Sequence, residues 1–252
     1  MDKILMYEEL SLNAWPSLQT QFFDGWILRY TNGYGYTSRA NSVNLLYPSS
    51  LDVYEKIAEC ERRYFSQKVP AIFKITDGVD IDFDKLLEGQ RYEIANPTHM
   101  MTLDLSNFNI ESDECITANY IDNDWMEAYF MLSNYTDKMK ISIARKIYDN
   151  IKADVLCARK VINGTTAACG MCVIERGYAG LFNVVVDETQ RGKGYGKEIC
   201  KSLLSAAKRT GTHTTYLQVV QDNHAAINLY TKLGYKNLYS YWYRVKKEER
   251  QR

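Results

Sequence analysis

Residues 190–196, which read Gln-Arg-Gly-Lys-Gly-Tyr-Gly, constrain this chain more than any other segment. They follow the apolar run 181–186 and open an amphipathic segment that extends to about Arg209. This order predicts a strand, a glycine-rich turn and the start of a helix. Glycines let successive backbone N–H groups converge on one anion, and a helix N-terminus adds partial positive charge. The segment therefore predicts a phosphate or pyrophosphate site; the alternative is a plain strand-to-helix turn.

The spacing of the glycines distinguishes between kinds of phosphate loop. A Walker A loop needs G-x-x-x-x-G-K-[ST], but Lys197 is followed by Glu198, and Arg191 stands where the first glycine belongs. A dinucleotide fold needs an acidic residue about twenty positions after G-x-G-x-x-G, and the next predicted strand carries none. The pattern that fits is [QR]-x-x-G-x-[GA], with Arg191, Gly194 and Gly196.

A second motif follows at residues 214–235. A β-rich run, 214–220, precedes a helical segment that Asp222 or Asn223 can cap and that Gly234 can end in the left-handed conformation. The helix has an apolar stripe that predicts a buried face, made of Ala226, Leu229, Tyr230 and Leu233. With the first motif, this segment closely resembles the paired signatures of the GNAT superfamily of N-acetyltransferases. The resemblance covers roughly residues 115–245, and it implies an α/β fold with a mixed sheet.

The resemblance also implies roles for individual residues. GNAT enzymes carry an acetyl group from acetyl-CoA directly to an amine, and acetyl-CoA is the expected cosubstrate. Tyr230 takes the position of the family's usual general acid; the alternative is a packing role in the helix stripe. The residues expected to hold acetyl-CoA are Val184, Val185 and Val186 along the pantetheine arm, Arg191, Gly192, Lys193, Gly194, Tyr195 and Gly196 at the pyrophosphate, and Asn223 near the pantetheine.

The general base is not identified by the sequence. An alkyl amine with a pKa of about 10.4 is neutral in only about one molecule in 2,500 at pH 7, so help with deprotonation is expected. Many relatives place a Glu on the strand before the loop, where this chain has Asn183. Glu175, Asp187 or an acid from the first half of the chain, acting through water, are the candidates.

The predicted function is transfer of an acetyl group to a primary amine on a small molecule or a peptide. The alternative is a regulatory or scaffold protein that binds CoA and has lost the base. The chain has 252 residues, with 31 Lys and Arg against 31 Asp and Glu. This balance argues against a nucleic-acid partner. No run of 18 apolar residues and no signal-peptide core is present, so we expect a soluble, cytoplasmic protein without a membrane partner.

Cysteines and histidines do not predict a metal site. Cys169 and Cys172 form a C-x-x-C pattern, but they lie in a predicted strand, where residues three apart point to opposite faces. We therefore expect the six cysteines to be reduced and structural. His213 and His224 flank the strand of the second motif, and each is expected on the surface.

The first half of the chain repeats the order of predicted elements found in the second. A hairpin around a turn at 32–36, a helix over 51–66, a strand over 71–76, a helix near 83–88 and a strand pair within 92–105 are expected. This half has only Pro48-Ser49-Ser50 where the second has its glycine loop. We interpret residues 1–110 as a degenerate GNAT-like domain and 111–252 as the catalytic GNAT domain. The alternative for 1–110 is an unrelated α+β domain.

Two polar residues of the first half, Arg39 and Asn41, are candidates for binding the acceptor. They lie among apolar neighbours in a predicted strand, where a purely structural role favours Val or Thr. The hypothesis is that the first half forms a wall of the acceptor site; the alternative is that both residues are hydrogen-bonded and structural.

Overall fold

A computed structural model describes residues 3–31, 37–109 and 115–248. The chain divides into two compact units, one of Met1–Thr98 with Tyr239–Arg252 and the other of His99–Leu238. The predicted division at 110/111 and the predicted turn at 32–36 both lie outside the described residues. The catalytic and degenerate roles given to 1–110 and 111–252 stay predictions.

The first unit is built on a sheet with the strand order β1-β2-β3-β4-β11. Strands β1/β2, β2/β3 and β4/β11 are antiparallel, and β3/β4 are parallel. The part of β11 that belongs here is residues 239–246. The elements are α1 (Lys3–Ala14), β1 (Gln19–Phe23), β2 (Trp26–Tyr30), β3 (Val43–Leu45), α2 (Val53–Ser66), β4 (Ala71–Thr76), α3 (Ile81–Gly89), the first half of β5 (Glu93–Asp104) and β11 (Lys236–Lys246).

A buried ion pair joins a helix and two strands of the first unit. Lys74 Nζ on β4 donates to both carboxylate oxygens of Glu8 on α1, at 2.7 and 2.6 Å. The hydroxyl of Tyr239 on β11 donates to the same carboxylate at 2.7 Å, and the Lys74 ammonium lies 4.0 Å from the centre of the Tyr241 ring. Because a buried charge is costly without partners, these contacts fix α1 against the strands.

The second unit has the strand order β5-β10-β9-β8-β7-β6, where residues 99–104 of β5 belong to it. Strands β9 and β10 are parallel, and β6/β7, β7/β8 and β8/β9 are antiparallel. Its elements are β6 (Ile116–Ala118), α4 (Asn123–Leu132), α5 (Lys138–Asp149), β7 (Asp154–Ile162), β8 (Thr165–Glu175), β9 (Tyr178–Val186), α6 (Tyr195–Arg209), β10 (Thr214–Val220) and α7 (His224–Lys232).

Helix α6 packs on this sheet through an apolar stripe. Ile199, Leu203 and Ala207 recur every four residues along one face and are buried. A Cβ atom on Gly170 of β8 would lie 2.7 Å from Ile199 Cγ2, so a glycine is needed there for the helix to approach this closely. The contact sets the position of α6 and of the loop that precedes it.

The two units repeat one topology. In the first, β1, β2 and β3 form an antiparallel series, α2 follows, and β4 returns parallel to β3 before α3. In the second, β7, β8, β9, α6, β10 and α7 follow the same order with the same strand directions. The repetition of predicted elements is therefore present in the structure.

Most of the predicted elements are confirmed, including the helices α2, α3, α6 and α7 and the strands β4, β9 and β10. The predicted strand pair within 92–105 is wrong. These residues form the single strand β5, in which Asn96 takes a left-handed backbone conformation (φ 49°) before Pro97 without ending the strand. A local interruption of this kind has the same sequence signal as a turn.

The second unit depends on β5, which a fragment beginning at residue 111 lacks. Met101 and Leu105 are buried in its core, and truncating one such side chain costs about 2–5 kcal/mol out of a typical total of about 5–15 kcal/mol. We expect the fragment 111–252 to unfold at a clearly lower denaturant concentration than the fragment 99–252, as measured by circular dichroism. Equal midpoints for the two fragments would contradict this role of β5.

Candidate active site

The parallel strands β9 and β10 separate part-way along their length. Their ladder runs from Tyr178–Thr214 to Leu181–Leu217. Beyond it, Asn183 adopts a left-handed conformation (φ 55°), and the pairing of β9 with β8 shifts register at this point. The shift is a β-bulge, which bends a strand locally. Residues 184–186 therefore continue along β8 beyond the end of the β10 ladder.

The glycine loop follows directly and has the geometry expected of an anion site. Gly192 and Gly194 have φ angles of 81° and 88°, and no atom lies within 4 Å of the position of a Cβ on either residue. Gly194 is the N-cap of α6 and supplies no side-chain cap. Since the first N–H groups of a helix have no intrahelical acceptor, an external anion can satisfy them.

Helix α7 forms the opposite side of this region. Asn223 is its N-cap and accepts a hydrogen bond from Ala226 N at 3.1 Å, and Gly234 follows the helix with φ 98°. Both features are as predicted, with Asn223 rather than Asp222 as the cap. The stripe of α7 predicted to be buried is only half-buried, because part of it borders a cleft.

The cleft has a volume of about 710 Å³. It is lined by residues from the end of β9, the glycine loop and α7: Val184, Val185, Val186, Gln190, Arg191, Gly192, Gly194, Tyr195, Gly196, Lys197, Asn223, Ala225, Ala226, Asn228, Leu229, Tyr230 and Lys232. Of the predicted acetyl-CoA residues, Lys193 alone is not in this lining; its ammonium donates to Gln190 Oε1 at 2.7 Å.

Several lining residues were not predicted from the sequence. Gln190 and Lys197 flank the loop, and Ala225, Asn228 and Lys232 follow one another at spacings of three and four residues along one face of α7. The helical spacing of these α7 residues is a signal that could have found them. The sequence predicts a core position for the apolar residues of α7, because an apolar stripe has the same pattern whether it meets a core or a cleft.

Electrostatically, the cleft favours an anion. Arg191, Lys197 and Lys232 contribute positive charge, and its lining includes no aspartate or glutamate. Arg191 is partly neutralised by Glu188, whose carboxylate lies 3.4 Å from its guanidinium. Clefts lined by one sign of charge concentrate ligands of the opposite sign.

Tyr230 borders the cleft with a largely desolvated ring. The ring packs edge-on against Tyr235, with centroids 5.9 Å apart, and the Tyr235 hydroxyl accepts a hydrogen bond from Thr215 at 2.8 Å. Burial raises the pKa of the Tyr230 hydroxyl well above its ordinary value. The group therefore keeps its proton throughout the neutral range and can act as a donor.

Of the two carboxylates named as candidate bases in the second half, Glu175 lies far from the cleft and Asp187 directly follows Val186 of its lining. Glu175 pairs with Tyr178, at the end of β9 opposite to Val186. At about 3.4 Å per residue, those two ends are roughly 27 Å apart. Asp187 caps the turn that follows β9, and hydrogen bonds from Thr189 Oγ1 and Thr189 N lower the pKa of its carboxyl. Asp187 thus has a structural contact, and its role as the base stays a prediction.

Arg39 and Asn41 do not lie in a strand, which corrects the prediction. Ser38–Ala40 is a short 3-10 helix, and Asn41 ends it. The Asn41 amide oxygen accepts from Thr31 N and Oγ1 at 2.9 and 2.7 Å, and its Nδ2 donates to Thr37 O at 3.2 Å. The Arg39 guanidinium lies 4.5 Å from the centre of the Trp15 ring. These contacts shape the first unit, and an acceptor-binding role for the pair stays a prediction.

The cysteines are buried and not bonded to one another. Burial raises the pKa of Cys169 and Cys172 to about 12, so both remain thiols at neutral pH. His213 and His224 are exposed, as predicted. Within the described residues, no group of His, Cys, Asp and Glu could hold a metal ion, and no helix has the length and apolar character needed to cross a membrane.

Comparison with known proteins assigns the chain to a family. A family model described as the C-terminal region of the probable histone acetyltransferase Rv0428c matches residues 3–244. The chain belongs to this family. It is a GNAT-type N-acetyltransferase.

Individual relatives support the same assignment. The uncharacterized N-acetyltransferase YobR of Bacillus subtilis is 27% identical over 254 residues, covering 98% of this chain and 100% of YobR. The ribosomal protein bS18-alanine N-acetyltransferase of Escherichia coli K12 is 34% identical over 73 residues, which are 29% of this chain and 49% of that enzyme. The structure of a GCN5-related N-acetyltransferase from Kribbella flavida has the same fold, with a TM-score of 0.73 at 12% identity over 99% of this chain and 97% of that one.

We expect Gly194→Glu to reduce acetyl-CoA affinity by at least about 100-fold. The change places a carboxylate among N–H groups suited to an anion, in a backbone conformation that only glycine adopts without strain. Isothermal titration calorimetry measures the affinity.

The matched control is Gly211→Glu. Gly211 has φ 89° and no atom within 4 Å of its Cβ position, as Gly194 does, but it follows the other end of α6. Both variants carry the same backbone strain, so a loss of affinity in both would assign the effect to strain instead of the loop.

Proposed function

We propose that the chain transfers an acetyl group from acetyl-CoA to a primary amine by direct attack, with Tyr230 as the general acid. The observation that supports this most is the shared lining of one cleft. The strand end at 184–186, the glycine loop and Tyr230 all border it. A backbone edge for a pantetheine arm, N–H groups for a pyrophosphate and a proton donor are thus available side by side.

Acetyl-CoA, when bound, would supply the activated thioester. The chain's own contribution is to bind, orient and protonate. The N–H groups of the glycine loop and the side chains of Arg191 and Lys197 would hold the pyrophosphate, and the backbone of 184–186 would align the arm. A backbone N–H of this strand end would polarise the acetyl carbonyl. Tyr230 Oη would hold a proton for the departing sulfur, and its surroundings keep that proton in place at neutral pH.

The acceptor is proposed to be an amine on a small molecule or a peptide. The relative of Escherichia coli is named for acetylation of an alanine of a ribosomal protein, which supports an amine as the acceptor class. The matched segment covers 29% of this chain, so the acceptor of the relative is not assigned to this protein.

The first unit is proposed to bind no CoA, because its own carboxylates occupy the corresponding loop. Asp24 accepts hydrogen bonds from Ser50 N and Leu51 N, each at 2.9 Å, just before α2. Asp52 caps α2 by accepting from Tyr54 N and Glu55 N. These N–H groups precede and begin the helix that corresponds in topology to α6.

A buried lysine completes this arrangement. Lys56 Nζ lies 3.1 Å from Asp24 Oδ2, and it donates to Asp24 O at 2.6 Å. Hydrogen bonds from Leu51 N and Ser49 Oγ are the main cause of an Asp24 carboxyl pKa far below its usual value. The carboxylate therefore remains charged at neutral pH, where a phosphate would otherwise compete for the same donors.

The stoichiometry follows from this difference between the two loops. We expect one equivalent of acetyl-CoA to bind per chain, measured by titration calorimetry. Binding of two equivalents would show that the first unit has a site despite its internal carboxylates.

Tyr230→Phe should lower the turnover number on the order of 100-fold, the scale of losing an acid catalyst. The ring contact with Tyr235 is kept, so we expect the melting temperature to hold within a few degrees and acetyl-CoA affinity to change by less than about threefold. Turnover is measured by release of free thiol from acetyl-CoA with a panel of amines.

Tyr235→Phe serves as the comparison, since it also removes one hydroxyl, from a ring outside the cleft lining. An unchanged turnover in Tyr230→Phe would remove the acid role. Binding of acetyl-CoA without thiol release for any amine of the panel would instead favour the regulatory or scaffold function.

A further inference from the structure

Asn183 occupies an unusual position beside the cleft. It forms the bulge on β9, in the left-handed conformation, and directly precedes the three strand residues that line the cleft. Its Nδ2 donates to the Tyr148 hydroxyl at 3.0 Å and lies 3.5 Å from Met171 Sδ. The side chain therefore points to the face of the sheet that carries α5.

Tyr148 holds this amide from a rigid support. Its ring is buried on α5 and packs edge-on against Trp125 and Tyr129 of α4, with centroids 5.9 and 6.4 Å away. Trp125 Nε1 in turn donates to Gly170 O on β8 at 3.0 Å. Helix α4, helix α5 and the strand pair β8/β9 thus fix the orientation of the Asn183 side chain.

With Nδ2 held, the other atom of the amide is available. Among the described residues, Asn183 Oδ1 has no hydrogen-bond partner, and the residue is half-buried, so the atom is open to a ligand. A neutral amide oxygen accepts a hydrogen bond from an N–H group but does not take up its proton at neutral pH. This position can orient an amine but cannot deprotonate it.

We infer that Asn183, held by Tyr148, positions the acceptor, and that the acceptor is a weakly basic amine, the α-amino group of a peptide. The inference rests on the proposed function and names its substrate class. The titratable side chain in contact with Asn183 is Tyr148, and the charged side chains of the cleft are Arg191, Lys197 and Lys232. An ammonium has no lone pair with which to attack, so at a site that cannot deprotonate the acceptor the amine has to arrive neutral.

The protonation equilibria separate the two main classes of peptide amine. An α-amino group with a pKa of about 7.7–8.0 is neutral in about one molecule in ten at pH 7, and a lysine amine in about one in 2,500. A site without a base at the acceptor therefore favours the α-amine by roughly 250-fold through the neutral fraction alone.

The transfer balances without a protein base. The nitrogen lone pair forms the new C–N bond, and the C–S bond breaks with its electron pair on sulfur. The proton on Tyr230 Oη passes to the sulfur, and one N–H proton of the attacking amine passes to solvent. Tyr230 then recovers a proton from solvent, so the enzyme ends as it began.

Two peptide probes test the substrate class with the full chain. One begins with a free alanine and contains no lysine; the other has the same sequence with a blocked N-terminus and a single lysine. We expect kcat/KM from thiol release at pH 7 to favour the free α-amine by at least about 100-fold. For this probe kcat/KM should level off above pH 8, and for the lysine probe it should keep rising towards pH 10. Equal values for the two probes at pH 7 would overturn the inference.

Variants of Asn183 test the positioning role. Asn183→Ala should lower kcat/KM for the alanine probe about tenfold or more while acetyl-CoA affinity is unchanged. Asn183→Asp places a carboxylate there and should raise kcat/KM for the lysine probe at pH 7. Tyr148→Phe keeps the ring and removes the acceptor of Nδ2, so it should reproduce part of the Asn183→Ala loss with the same pH profile.

Asn163→Ala is the matched control, because Asn163 also has a left-handed backbone (φ 49°), in the β7–β8 turn, and does not line the cleft. An equal loss in Asn163→Ala and Asn183→Ala would reduce the role of Asn183 to backbone strain. Thiol release with a small alkylamine but with neither peptide would refute the inference and leave the acetyltransferase function standing. If none of the amines gave thiol release, the proposed acetyltransferase function itself would be refuted.

Discussion

The site depends on the point at which β9 leaves β10. The parallel ladder between them ends at Leu181 and Leu217, and the bulge at Asn183 bends β9 away. If the ladder continued, the backbone of 184–186 would have its hydrogen bonds satisfied by β10, and no cleft would exist between that strand end and α7. The bulge therefore determines both where a cosubstrate can pair with the sheet and where the Asn183 side chain points.

A few side chains determine that only one of the two similar units forms such a site. Both contain parallel strands joined through a helix. In the second unit, Gly194 at the N-cap adds no side chain. In the first, Asp24 and Asp52 supply carboxylates to the N–H groups that precede and begin α2. Topology gives each unit the capacity for an anion site, and the residues of the turns determine whether an external anion is needed.

The sequence predicts most of the second unit because its signals are local. The N-cap Asn223, the left-handed Gly234 and the stripe of α6 each act within a few residues of chain, and all are found where expected. What the sequence does not reveal depends on contacts between distant residues. Asp24 meets Ser50 and Leu51 only because a hairpin turn brings it to the start of α2.

The same reason explains the errors at Arg39 and Asn41. An apolar neighbourhood predicts a strand over residues 39–41, but hydrogen bonds from Thr31 to Asn41 stabilise a turn there. At Asn183 the sequence gives half of the answer. Its residue type shows that this position is not a carboxylate base, but its hydrogen bond to Tyr148 is seen only in the folded structure. Positive charge in the cleft, a half-buried phenol at Tyr230 and a neutral amide at Asn183 are suited to three separate tasks, namely holding an anion, keeping a proton and orienting an amine. Because a carboxylate at Asn183 would also attract protonated amines into the cleft, its absence makes the charge state of the acceptor part of the selection.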